Sequence, residues 1–307
     1  MADFPTEQTV GMIGLGIMGS AMAVNLMQAG YRVVGYDVLP MRRRDHRRAG
    51  GQVAPSCRAV GSRAGIVVCS LPSSQALLET AAALAESPRP PKVVIETSTL
   101  PVEVKQEARR NLAARGTTLL DCPLSGTGAQ ARAKDLVVYA SGDRLAYRRV
   151  VPILSAFARA HYYVGGFGAG SKMKFVANLL VAVHNVAAAE ALVLAMKAGL
   201  DPAMVVKVIG DGAGSSRMFQ VRGPMMVTGD YSHAMMKLEI WQKDMTIIAD
   251  FAREVGCPTP LFAASAPVYT AAIAKGRRNE DTAAVCAVLE EMANHRRRKP
   301  PAGGAGG

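Results

Sequence analysis

The chain has 307 residues, 50% of them hydrophobic, five cysteines and a formal net charge of +12. That length suits two domains with a core each, and the cysteines (Cys57, Cys69, Cys122, Cys257, Cys286) are odd in number, scattered and without a CxxC, which fits a reduced cytoplasmic protein without a disulfide framework or a structural metal. The positive charge gathers in 42–48 and 295–299, which read as solvated surface rather than a nucleic-acid face.

The opening residues do not read as a basic, apolar leader, so secretion is not expected, and the apolar run nearest to a membrane span, Phe175 to Met196, is interrupted by Asn178, His184, Asn185 and Glu190. The expected partners therefore include neither membrane nor nucleic acid.

Thr9 to Ile13 reads as a buried strand. It enters Gly14-Leu15-Gly16-Ile17-Met18-Gly19, a helix follows over Ser20–Met27, and a second strand, Arg32 to Tyr36, ends in Asp37. Strand, GxGxxG, helix, strand and acid in that order form the dinucleotide-binding fingerprint. Gly14 permits the tight turn, Gly16 admits the pyrophosphate against the backbone, and Gly19 lets helix and strand pack closely. The helix start offers its N–H groups to the phosphates. Asp37 is placed for the adenosine ribose hydroxyls and would repel a 2′-phosphate, which favours NAD; Arg42, Arg43 and Arg44 are the alternative, as a phosphate clamp for NADP.

The alternation continues through strands at Gln52–Ala54, Ile66–Ser70, Val93–Glu96, Leu119–Cys122 and Leu136–Ala140, with a helix from about Pro101 to Ala114. This pattern predicts a mostly parallel sheet covered on both faces, with ligands beyond the carboxyl ends of its strands. Leu71, Pro72 and Thr99 stand at such ends, although Pro72 and Ser73 also read simply as a strand stop and a helix cap. The loop Asp121-Cys122-Pro123-Leu124-Ser125-Gly126-Thr127-Gly128 has the small, polar character of an anion site; alone it would be an ordinary loop.

After Val164 come Gly165, Gly166, Gly168 and Gly170, and then every segment reads as helix. Ser171 to Ala198 has no proline or glycine and would run roughly 40 Å at the α-helical rise. Its near-uniform apolarity predicts burial along most of its length, yet Lys174, Asn178 and Asn185 share one stripe, which reads as the floor of an active site. Further helices are predicted over Pro202–Ile209, Ser232–Glu254, Pro260–Lys275 and Asp281–Asn294. The predicted architecture is thus an α/β Rossmann-type N-terminal domain (1–165) and an all-α C-terminal domain (166–294), joined through a long interdomain helix. Residues 295–307 read as a disordered basic tail. More apolar helix surface than one domain covers predicts a homodimer or homotetramer.

Four blocks in register resemble the β-hydroxyacid dehydrogenase family: Gly14–Gly19 with Met22, Ala23 and Asn25; Asp121-x-Pro123-x-Ser125-Gly126; Gly168-x-Gly170-x-x-x-Lys174-x-x-x-Asn178; and Lys243-Asp244. The resemblance implies Lys174 as catalytic acid/base, Asn178 holding the substrate beside it, and Ser125 and Gly126 binding the substrate carboxylate. It also implies Lys243 reaching nicotinamide and substrate, with Thr99 and the Leu71-Pro72 turn on the cofactor. Thr127, Lys134 and Ala177 depart from the family pattern, which bears on the substrate more than on the chemistry.

A lysine with its ordinary pKa of about 10.4 is a poor base at neutral pH. Burial and repulsion from Lys243 would lower the pKa of Lys174, while a substrate carboxylate would raise it. Read alone, Lys174 is also compatible with a snorkelling surface lysine. Competing readings of the whole chain are an imine reductase and a non-catalytic NADP-binding module of the same fold. Lys174 argues against both.

Overall fold

The computed structural model describes Thr9 to Arg297. Its first part alternates β1 (Thr9–Ile13), α1 (Ile17–Gln28), β2 (Arg32–Tyr36), α2 (Pro40–Arg48), β3 (Gln52–Val53), α3 (Cys57–Arg63), β4 (Ile66–Cys69), α4 (Ser74–Ala85), β5 (Val93–Glu96), α5 (Val102–Ala113) and β6 (Thr118–Asp121). These strands form a parallel sheet in the order β3-β2-β1-β4-β5-β6. Every residue of β4 and β5 is buried, as expected of strands with helices on both faces. Alternate residues feed two cores: Met12, Val68 and Ile95 enter one, while Val67, Val94 and Leu119 enter the other.

The register matters for function. Ile13 pairs with Tyr36 and with Cys69, Cys69 with Glu96, and Glu96 with Asp121. One row of five strand ends therefore delivers the Gly14 turn, Asp37, Leu71, Thr99 and the Ser125 loop from a single carboxyl edge.

Beyond β6 the sheet changes direction. Here β7 (Leu124–Ser125), α6 (Gly128–Arg132), β8 (Val137–Ser141), α7 (Arg144–Phe157) and β9 (Ala160–Gly165) follow, with β8 antiparallel to β6 and β7 and parallel to β9. The sequence reading has no strand at β7 or β9 and no helix at α2, α3, α6 or α7. In the arginine-rich 42–48 stretch, helix formation leaves the arginines largely exposed and buries His46.

The chain then becomes helical: α8 (Ala169–Lys197), α9 (Pro202–Gly210), α10 (Arg217–Thr228), α11 (Leu238–Glu254), α12 (Pro260–Ala274), a 3-10 turn (Thr282–Ala284) and α13 (Val285–Met292). The sequence reading omits α10 because Gly223 and Pro224 interrupt its pattern. Gly223 packs closely there, since a Cβ would lie 3.1 Å from the Val206 side chain on α9. It also begins α11 six residues early. Met235 and Met236 instead donate their backbone N–H groups to Asp281 Oδ2 at 2.8 and 3.0 Å, which holds that segment out of a helix.

Two compact units divide between Val176 and Ala177, inside α8 and later than the glycine break at 165. The first two turns of α8 belong to the first unit because Ser171 is bonded to Asp121 there. By length and composition α8 could cross a membrane, and only 44% of its most apolar window is buried. Burial along most of its length is therefore corrected: Phe175, Ala182, Val186 and Leu192 are buried, while Met173, Val176, Leu180 and Leu194 are exposed at helical spacing. At the far end Arg297 is fixed, donating to Met226 O, Val227 O and Glu290, so the expected tail starts no earlier than 298; 298–307 lie outside the described residues.

Candidate active site

In the first unit, the glycine turn has the shape its sequence implies. Gly14 sits at φ +86° with its N–H bonded to Tyr36 O at 2.9 Å, and a Cβ there would strike Ser70 O. A Cβ on Gly19 would strike Gly14 O, so α1 can lie against the turn only with glycine at that position. Gly16 faces open space, with nothing within 4 Å of where its Cβ would be. It is also the N-cap of α1 and supplies no side-chain bond to the first turn. An open, uncapped helix start beside a glycine fits a pyrophosphate. Leu15 is buried, Met18 and Gly19 face inward at least in part, and Ile17 is exposed.

Asp37 receives Leu15 N on one carboxylate oxygen and Leu39 N on the other, each at 2.8 Å. The carboxylate is thereby aimed and tied to the turn. Arg43 lies over the Tyr36 ring, 5.6 Å from its centroid, and donates to Asp37 O at 2.6 Å. Its guanidinium is engaged with backbone carbonyls beside the acid.

Leu71 donates its N–H to Ser98 Oγ at 2.8 Å, which links the β4 turn to the β5 turn carrying Thr99. Pro72 is exposed, and Ser73 is the N-cap of α4, accepting from Ala76 N. The Ser125 loop is more ordered than an open turn: Leu124 and Ser125 pair with β8. Gly126 follows at φ +136°, in space where a Cβ would meet Leu136 at 2.7 Å. Thr127 then forms a capping box with Gln130 at the start of α6, so its departure from the family pattern serves a helix start. Lys134 holds a left-handed conformation at φ 59°.

In the second unit, Asn178 is buried and donates Nδ2–H to Asp244 Oδ2 at 2.9 Å. Asp244 Oδ1 lies 3.5 Å from Lys243 Nζ. Asp244, read from sequence only as a structural partner, thus joins two predicted site residues from helices far apart in sequence. Lys243 does not stand as a bare cation, because the carboxylate offsets its charge. Lys174 is half-buried, not enclosed. Asn185 does not share in the site stripe: it is fully buried and donates to Tyr269 OH at 3.1 Å and Thr282 O at 2.9 Å. It belongs to the helical core, where burial pushes the Tyr269 phenol up to about 12. Among the described residues no group of three or more metal-ligating side chains occurs.

A Rossmann sheet with an open glycine turn and an acid at the end of its second strand, followed by a helical unit carrying Asn, Asp and Lys, has the features of a dinucleotide-dependent oxidoreductase. Residues 9–165 match the NAD binding domain of 6-phosphogluconate dehydrogenase, and 168–289 match the NAD-binding of NADP-dependent 3-hydroxyisobutyrate dehydrogenase. L-threonate dehydrogenase of Cupriavidus necator is 35% identical over 287 residues, covering 92% of this chain and 96% of that protein. The crystal structure of 3-hydroxyisobutyrate dehydrogenase from Salmonella typhimurium superposes with a TM-score of 0.81 at 30% identity, over 92% of this chain and 99% of that one. The Mycobacterium tuberculosis 3-hydroxyisobutyrate dehydrogenase, solved with L-serine, gives 0.84 at 28% identity over 92% and 99%. The chain belongs to the β-hydroxyacid dehydrogenase family, and it is an NAD(P)-dependent oxidoreductase acting on the CH–OH group of a hydroxy acid.

Proposed function

We propose that this enzyme interconverts a small β-hydroxy acid and its oxo acid, with Lys174 as general acid/base. The substrate class is threonate-, 3-hydroxyisobutyrate- or glycerate-like. The observation that carries the reading is the Asn178–Asp244–Lys243 arrangement, one helical turn beyond Lys174 on the same helix.

Each residue has a separable task. Ser125 and Gly126 bind the carboxylate, through the serine hydroxyl and the backbone that the left-handed Gly126 exposes. Asn178 orients the carbinol hydroxyl. Its N–H is committed to Asp244, which fixes the amide plane and leaves the amide oxygen to accept from the substrate. Lys174 removes the hydroxyl proton in oxidation and returns it in reduction. Lys243, held by Asp244, adds positive charge beside an anionic substrate. When bound, the nicotinamide accepts or returns the hydride of the carbinol carbon. Gly14, Leu15, Gly16, Ile17, Met18 and Gly19 would hold the pyrophosphate, and Leu71, Pro72 and Thr99 would also contact the cofactor. NAD is the favoured form: the Asp37 carboxylate is fixed by two backbone N–H groups and would repel a 2′-phosphate, and the Arg43 guanidinium beside it is occupied by the Asp37 and Val38 carbonyls.

The exposed stripe Met173, Val176, Leu180 and Leu194 suits a second copy of this chain, so the working form is a homodimer or homotetramer in the cytoplasm. A monomer by light scattering at micromolar concentration would refute it.

The deciding experiment is Lys174→Ala, assayed over 3-hydroxyisobutyrate, L-threonate, D-glycerate and L-serine with NAD and NADP. Turnover should fall about 10²- to 10⁴-fold, the range for loss of a general acid/base. NADH affinity should stay within a few-fold. Turnover near wild type would remove Lys174 from the chemistry.

A further inference from the structure

The chemistry above leaves unused a buried ionic cluster on the first unit's carboxyl edge. Lys105 of α5 is 0% exposed, as are Glu96 and Asp121 at the ends of β5 and β6. Its ammonium lies 2.6 Å from Glu96 Oε2 and 2.8 Å from Asp121 Oδ1, and it donates to Ser98 O at 2.7 Å. Burial alone would pull the lysine's pKa down, but Asp121 and Glu96 together outweigh it and hold the group charged.

Contacts run outward from this hub in two directions. Toward the cofactor side, Ser98 donates its N–H to Glu96 Oε1 at 2.9 Å and accepts Leu71 N–H on its hydroxyl at 2.8 Å. Toward α8, Asp121 accepts Ser171 N–H on Oδ2 and Ser171 O–H on Oδ1, both at 2.8 Å. Ser141 braces the same carboxylate at 3.1 Å and accepts Gly170 N–H at 2.9 Å. A Cβ on Gly170 would strike Tyr139 O and lie 2.7 Å from Asp121 O, so the helix start rests directly on the strand backbone. An unbroken polar chain thus joins the Leu71 turn to Ser171, which stands one turn before Lys174.

Stability does not account for such a cluster. Burying a cation with two carboxylates costs desolvation that their attraction barely offsets, and apolar replacements of similar volume are often neutral or better. A closed network of short bonds does supply geometry, because every member has one permitted position.

We propose that Lys105, with Glu96, Asp121 and Ser171, is a positioning device that sets the Lys174-bearing turn of α8 in register with the cofactor-side turn at Leu71. This rests on the reading of Lys174 as acid/base, and it assigns work to residues that touch neither substrate nor cofactor. A lysine displaced by about 1 Å loses up to about 10²-fold in rate without any loss of its own chemistry.

The test compares Ser171→Ala, Lys105→Met and Lys174→Ala in the full chain, measuring thermal midpoint, NADH dissociation constant, kcat, KM and the pH profile of kcat. Ser171→Ala removes one hydroxyl and leaves every charge in place. It should fold and bind NADH within about threefold of wild type, yet lose about 10- to 100-fold in kcat with KM little changed, and the kcat pH profile should move. Lys105→Met should lose both NADH affinity and kcat; if it fails to fold, Ser171→Ala decides alone. A Ser171→Ala enzyme with wild-type kcat and pH profile and only a lower thermal midpoint overturns the proposal. Lys174→Ala separates the two claims: if it is inactive while Ser171→Ala is normal, only the positioning role falls. If Lys174→Ala is itself active, the acid/base reading falls first.

Discussion

Each unit of this protein holds a buried aspartate that is paired to a buried cation and accepts backbone N–H: one at Asp121, three at Asp281. Asp121 takes Lys105 at 2.8 Å and the N–H of Ser171; Asp281 takes Arg222 at 3.0 Å and the N–H groups of Met235, Met236 and Ala283. The two are alike in burial and in having a cation beside them, although Lys105 is shared with Glu96. They differ in the backbone they hold. Asp121 fixes the start of the helix carrying Lys174, whereas Asp281 fixes a non-helical bend before α11 and the 3-10 turn before α13. One electrostatic device therefore anchors the start of a long helix in one unit and non-helical chain with a 3-10 turn in the other, and the residues it grips decide which.

That contrast breaks most visibly at Arg222. Arg222→Met leaves Asp281 as an uncompensated buried charge, so the protein should lose about 3–5 kcal/mol of stability, read by chemical denaturation. Its kcat per folded molecule should match wild type at a temperature where it stays folded. A specific fall in kcat there, with folding intact, would erase the distinction between the two hubs.

Asp37 sharpens the comparison from another side. It too collects two backbone N–H groups, but it is only half-buried. Asp37→Ala should cost little stability. It should weaken NAD by about tenfold or more, as expected for bonds to a charged acceptor, and weaken NADP less. Equal losses for the two cofactors, measured by titration of the reduced forms, would move the selecting role to the arginines of α2.

The smallest effect is expected at His46, a buried polar group with no counter-charge. Burial lowers its pKa, against hydrogen bonds with the backbone of Val33 and Gln52, and Gly35 and Gly51 leave room for the ring. The unfolded chain then binds the proton more readily, so stability present at neutral pH is lost as pH falls below about 6.5. Half-buried His161, also lowered by burial, adds to the same trend. Between pH 7.5 and 5.5 the thermal midpoint should drop by roughly a few degrees, and less in His46→Gln.

The cofactor half of the site is legible in the sequence because its requirements are local. Gly14, Gly16, Gly19 and Asp37 lie within one β-α-β unit; Gly14 and Gly19 answer close backbone neighbours, Gly16 leaves open space at the helix start, and Asp37 stands at the next strand end. The helical half is less legible. The stripe of Lys174, Asn178 and Asn185 is real as helix geometry, but Asn185 meets Tyr269 and Thr282, whose positions no periodicity predicts. The 217–228 helix hides behind Gly223 and Pro224, and β9 hides beside a glycine-rich stretch that reads as punctuation.

The sequence by itself determined the alternation of strands and helices, the dinucleotide turn, the change to an all-helical second half and the family. These follow from backbone preference and side-chain period, which act over a few residues. Only the tertiary structure decided that Asp244 serves Asn178 and Lys243, that Asn185 is a core residue, and that Lys105 joins Glu96, Asp121 and, through Asp121, Ser171. The reason is burial. A charged or amide side chain acquires its partner where water is excluded, and which groups meet there depends on how strands and helices distant in sequence pack together.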